Sequence, residues 1–235
     1  MQNLTPNERR CAAALTEIGE SPFLESECGS TEHLAEPVEE LLPLYEHNSD
    51  WEEVEFDSRL LNCALRFSDF GARWSTRESL PEIHGEFHVL HFYDVFDQTE
   101  GPSAGHETSD FQRDFLAQLR YFDHTPRSGA GMMTYIRMQP QVTPLEIWYQ
   151  DIADIGRHPY PRNYIRMDIT YCEYLEALTL TKGTYGWQYL YADISLRESG
   201  FESKVHYLTS MLEVFPDLFP AYDYTPLAER LEARL

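Results

Sequence analysis

Tyr171-Cys172-Glu173-Tyr174-Leu175-Glu176-Ala177-Leu178, Thr179-Leu180-Thr181-Lys182-Gly183, Thr184-Tyr185-Gly186 and Trp187-Gln188-Tyr189-Leu190-Tyr191-Ala192-Asp193-Ile194 form one continuous stretch that organises the rest of the chain. Tyr171, Tyr174, Leu175 and Leu178 fall at i, i+3, i+4 and i+7, and Trp187, Leu190, Tyr191 and Ile194 repeat the spacing. Each set lays an apolar stripe along one face of a predicted helix. Thr170 followed by Glu173 is a capping box, which satisfies free amides at the first helix start. Gly183 is the expected left-handed terminator. The stretch is a packing device and carries no reactive chemistry.

Outward from it, composition sets bounds. The 235 residues are 42% hydrophobic, enough for one substantial core. Forty acidic residues face 18 basic ones, a formal net charge of −22, and Lys182 and Lys204 are the two lysines. Such a surface repels nucleic-acid phosphates and anionic lipid, so neither is an expected partner, whereas a basic protein is attracted. Solubility or a salt-adapted host is the plainer account of the same charge. The excess is uneven: between Cys11 and Ser58 stand fourteen Asp and Glu and no Lys or Arg. That run reads either as a solvated face or as a docking surface, with Glu39, Glu40, Glu46, Asp50, Glu52, Glu53 and Glu55 as the candidate partner-binding residues.

Cys11, Cys28, Cys63 and Cys172 are widely spaced and form no Cys-x-x-Cys, so reduced thiols are expected. The N-terminus lacks the basic start and apolar run of a signal peptide. No apolar stretch nears the roughly 20 residues that span a bilayer. A cytoplasmic protein is the expectation.

Along the chain, Thr5 caps a helix with Pro6 in its first turn and Cys11, Ala14, Leu15 and Ile18 as its stripe. Residues 20–36 read as polar and irregular. Val38, Leu41, Leu42 and Tyr45 define a second helix, which Pro43 kinks or splits. Residues 60–67 fit helix or strand, and 71–81 read as loop. Residues 86–93 alternate as a strand. A surface loop, 99–108, leads to a helix bearing Phe111, Phe115, Leu119 and Phe122. Residues 132–138 and 145–149 form a hairpin, 163–167 a short strand, 201–215 a helix ended by Pro216 and Pro220, and 226–235 an amphipathic tail. The fold class is α+β: a mostly antiparallel sheet with helices packed around it and a helical C-terminal extension. One domain is divided as 1–36 (helix and acidic loop), 37–194 (core) and 195–235 (extension).

Reactive constellations are scarce. His84, His88 and His91 are the best metal candidate, but in a strand His91 faces away from the other two, and half-exposed strand histidines explain them better. No zincin, nucleophile-elbow or phosphate-loop pattern occurs. Arg127, in the turn 125–131, suits an anion, although a turn entering a strand suffices. Trp187, Tyr189 and Tyr191 read as core, since a base-stacking platform conflicts with the negative charge. Neither a cofactor nor catalytic residues are expected.

Pro37-Val38-Glu39-Glu40-Leu41-Leu42-Pro43-Leu44-Tyr45-Glu46-His47-Asn48 resembles the early helix of the SUKH superfamily, a Pro-led helix that runs to an aromatic residue and ends in Asn-Gly. Residues 86–95 resemble its following strand, 131–149 its central hairpin, and 170–178 the helix that closes its domain. The stretch Gly183 to Leu190 is similar to one shared by a subset of members. The likeness spans 37–194, with departures at Ser49, where the family has Gly, at Pro43 and at both ends. It implies a bacterial immunity protein that binds and neutralises a cognate toxin, often a nuclease or deaminase. Other members are regulatory scaffolds, and a metal-dependent hydrolase using the three histidines is the third alternative. The family brings no catalytic set.

Overall fold

The computed structural model describes residues 4–38, 40 and 53–235. Seven strands form one antiparallel sheet whose spatial order is the sequence order: β1 (Leu24–Cys28), β2 (Phe70–Thr76), β3 (His84–Val89), β4 (Leu119–His124), β5 (Met133–Arg137), β6 (Ile147–Gln150) and β7 (Tyr164–Met167). The helices are α1 (Pro6–Glu20), α2 (Ser58–Cys63), α3 (Phe92–Phe96), α4 (Asp110–Ala117), α5 (Tyr171–Thr181), α6 (Glu202–Leu218) and α7 (Thr225–Glu232), with a 3-10 turn at Trp187–Tyr191. The α+β class and the helical C-terminal extension are as the sequence predicts. Leu41, Leu42, Pro43 and Tyr45 of the predicted second helix lie outside the described residues.

Strand alternation divides the sheet into two faces. Phe70, Ala72, Trp74, Phe87, Val89, Ile136, Ile147, Tyr149, Ile165 and Met167 join the main core with α1, α5, α6 and α7. The core therefore draws on all three expected segments. On the opposite, outer face, Leu119, Tyr135, Trp148 and Tyr164 pack beneath Phe115 and Leu116 of α4 in a second, smaller cluster. The outer face of β1–β3 is polar: Glu25, Glu27, Arg73, Ser75, His84, Glu86 and His88 alternate with the core residues.

Local chemistry explains the ends. Thr5, Ser109 and Thr170 each close a capping box. Helix α5 ends on Lys182, whose φ of 53° is left-handed, and Gly183 follows with φ 70°, so the terminator predicted at the glycine is shared with the lysine before it. Lys182 takes that conformation because its ammonium is held, donating to Glu17 Oε2 at 2.6 Å and to the Thr179 carbonyl at 2.8 Å. Tyr222 also donates to Glu17, so α1, α5 and the C-terminal extension meet at one buried cation.

Several expectations are corrected. Residues 24–28 and 70–76 are strands, not irregular or loop segments; Phe70, Ala72 and Trp74 alternate with Gly71, Arg73 and Ser75 at period two. The strand predicted to run to Tyr93 stops at Val89, and His91 caps α3 instead. The helix expected through Phe122 ends at Ala117, after which Leu119 and Phe122 are strand residues on opposite faces. Trp187–Tyr191 is a 3-10 turn in which Gln188 and Tyr189 are buried along with Trp187, so the region has no single stripe. Pro216 lies within the last turn of α6, which continues to Leu218. Residues 58–63 are helical, which resolves the first part of the ambiguous 60–67.

The thiol expectation also fails. Cys63 and Cys172 are bonded, their Cα atoms 5.5 Å apart across 109 residues of chain. Cys63 ends α2 and Cys172 is the second residue of α5, so the pairing follows from docking two helices and has no local signature. Cys11 and Cys28 are free.

Candidate functional site

Of the seven candidate partner-binding residues, Glu39, Glu46, Asp50 and Glu52 lie outside the described residues. Glu40, Glu53 and Glu55 are exposed. Glu53 and Glu55 are held beside the β5–β6 turn: Gln141 Nε2 donates to Glu53 at 2.9 Å and Thr143 Oγ1 to Glu55 at 3.2 Å. The Glu40 amide donates to the Pro37 carbonyl at 3.0 Å.

The three histidines do not converge. His84 and His88 share the outer face, and His91 sits beyond the strand end. His91 Nδ1 accepts from the Tyr93 amide at 3.1 Å, and its Nε2 donates to the Glu36 carbonyl at 3.2 Å. Burial lowers its pKa, in keeping with a neutral cap. His84 pairs with Glu82 at 2.9 Å. His88 instead joins a chain that the sequence pattern did not indicate, with Nε2 3.3 Å from Asp69 Oδ1 and Nδ1 2.9 Å from His124 Nε2. Burial and the neighbouring His88 ring lower the His124 pKa. Among the described residues, no group of three or more His, Cys, Asp or Glu is arranged to hold a metal ion.

Buried charges are each occupied in holding the frame. Glu86 accepts from the amides of Arg127 and Ser128 and from the Tyr185 hydroxyl, so it fixes the turn 125–131. Arg127, the possible anion binder, pairs with Glu27 at 3.2 Å. Asp123 accepts from Tyr174 Oη at 2.6 Å and the His88 amide at 2.9 Å; burial nevertheless drives its pKa up to about 7. Asp151 is also desolvated, but Lys204 at 3.3 Å and the Tyr189 hydroxyl at 2.7 Å bring its pKa below the usual range. Both lysines are thus committed to internal pairs.

A hollow of about 770 Å³ lies on the outer face, between the loop 97–108 and strands β4–β7. Its floor is Tyr121, Met133, Tyr135, Gln150 and Tyr164, and Asp97 and Glu100 stand on the rim. Tyr135 donates to Gln150 Oε1 at 2.5 Å, and its ring centroid lies 5.7 Å from that of Tyr164. The rim loop is anchored: Gln98 Nε2 donates to the Tyr121 carbonyl at 2.7 Å, and the Tyr121 amide donates back to Gln98 Oε1 at 3.0 Å. Gly101 approaches so closely that an added Cβ would lie 1.9 Å from the Leu116 carbonyl oxygen. The sequence pattern indicates the loop but not the hollow, because the spacing of Phe115, Leu119 and Phe122 places Tyr121 in a helix. Period-two placement of Tyr121, Tyr135 and Tyr164 was the available signal.

No family model, curated protein or solved structure matches this chain. Among the described residues, no helix is long and apolar enough to cross a membrane.

Proposed function

We propose that this chain is a non-enzymatic binding protein that occupies a basic partner, in the manner of an immunity protein that neutralises a cognate toxin. The observation that carries this reading is the display of its acids. Of the fourteen Asp and Glu between Cys11 and Ser58, four lie outside the described residues. Of the other ten, Glu20, Glu25, Glu27, Glu32, Glu36, Glu40, Glu53 and Glu55 are exposed. An exposed excess of one sign on a stapled scaffold accelerates encounter with a basic surface and resists phosphate-bearing ones. Sixteen arginines and the two internally paired lysines still leave the formal net charge at −22.

The reading carries a cytoplasmic location with it. The Cys63–Cys172 bond pulls the other way, because cytosolic thiol pools keep such pairs reduced. Alkylation of thiols in freshly lysed, fractionated cells reports both the compartment and the state of the pair. Function is tested by expressing a candidate basic toxin, chosen from the genes that neighbour this one, with and without this chain. Survival only when both are expressed, together with a stoichiometric complex of the purified proteins, is the expected result. Survival without this chain overturns it.

A further inference from the structure

The hollow on the outer face has a lining that selects a ligand. Tyr121, half-buried, contributes a phenol ring beside the buried Tyr135 and Tyr164, Gln150 and Asn163 contribute amides, and Met133 a thioether. Asp97 and Glu100 add carboxylates at the rim, and among the described residues no Lys, Arg or His lines the cavity. Ring faces attract cations, and nearby carboxylates add Coulomb attraction that a partly enclosed site screens less than open water does. Anions find no counter-charge here. A purely apolar ligand would strand the amides and carboxylates without partners. The volume falls within the range of roughly 300–1,000 Å³ common to specific ligand sites.

The site is also built before any ligand arrives. Gln98 is bonded through both ends of its amide to the Tyr121 backbone, and Arg120 Nε donates to the Gln98 carbonyl at 2.7 Å. Gly101 seats the rim against α4. A rim held on both sides presents its carboxylates at low ordering cost.

From this geometry we infer that the hollow receives an alkyl guanidinium or alkyl ammonium group, inserted between the tyrosine floor and the Asp97–Glu100 rim. This deepens the binding-protein reading and rests on it for the source of the cation, an Arg or Lys side chain of the basic partner. A free small amine offers the same chemistry from a second source.

Titration of the full chain with an N-acetyl-Gly-Arg-Gly amide peptide, its citrulline counterpart and spermidine tests the inference by calorimetry and by shifts of tyrosine ring resonances. The arginine peptide should bind at least fivefold more tightly than the citrulline peptide. Asp97→Asn with Glu100→Gln should weaken it threefold or more. Glu198→Gln with Glu213→Gln, an equal charge change at exposed positions elsewhere, should leave it unchanged. Binding of spermidine alone, lost in the rim variant, supports the site with a free amine as its source. Equal binding of citrulline, equal effects of the two double variants, or no binding of any probe overturns the inference. Retained arginine binding with failed toxin protection would sink the partner reading and leave the hollow standing.

Discussion

The two faces of the sheet are built from the same seven strands and do different work. The inner face meets α1, α5, α6 and α7 through one continuous apolar core in which Trp187, Tyr174, Leu175 and Phe215 are each at most 1% exposed. Among the described residues, α4 packs on the outer face over β4–β7, next to a tyrosine-floored hollow, and a polar strip runs over β1–β3. Stability is concentrated on one side and chemical variety on the other. That division suits a scaffold which must stay rigid while it presents charge.

The sharpest way to break this comparison is to truncate one aromatic on each face. Trp187→Ala should cost about 3–5 kcal/mol in denaturant unfolding, because it empties a closed core site. Tyr121→Ala, on the outer hollow, should cost less than half of that and leave the fold intact. Equal losses would show that the faces share the load.

Next in size is the staple between α2 and α5. Cys172→Ser should lower stability by about 2–5 kcal/mol, since the bond closes a long loop in the unfolded chain. Non-reducing mass analysis with alkylation should show two free thiols in the parent chain and three in the variant. Four free thiols in the oxidised parent would contradict the pairing.

The smallest effect is a pH slope at the seam between the faces. Burial raises Asp123 in the folded state to about 7 from an ordinary value of 3.8. A group raised on folding contributes stability below its unfolded pKa and loses it as pH rises through the folded one. Asp123 should therefore subtract up to a few kcal/mol between about pH 4 and pH 7. Glu8 and Asp151, both lowered in the folded state, act with the opposite sign and lose stability as pH falls through their folded pKa values. The clean measurement is the difference: Asp123→Asn should flatten the decline between about pH 4 and pH 7. An unchanged slope would place Asp123 near its ordinary ionisation.

Much of the inner face was legible from sequence. The capping boxes at Thr5 and Thr170 and the stripes of α1 and α5 are local signals, and each appears where the pattern puts it. The hairpin of β5 and β6 follows from alternation and the turn between them. The outer face was much less legible. Strand β2 was mistaken for loop because polar residues alternate through it, and β4 for helix because Leu119 and Phe122 sit at helical spacing. Each error hid residues that form or border the hollow or the polar strip.

Residue chemistry by itself determined the α+β class, the negative surface and the ends of the capped helices, because caps, periodicity and net charge act over a few residues or need no geometry at all. Tertiary structure alone decided that Cys63 meets Cys172, that Lys182 is buried against Glu17, that His88 pairs with Asp69 and His124, and that three tyrosines from separate strands share one floor. Those pairings join groups tens to more than a hundred residues apart. They exist because antiparallel register and helix docking bring the backbones together, and no local spacing encodes that approach.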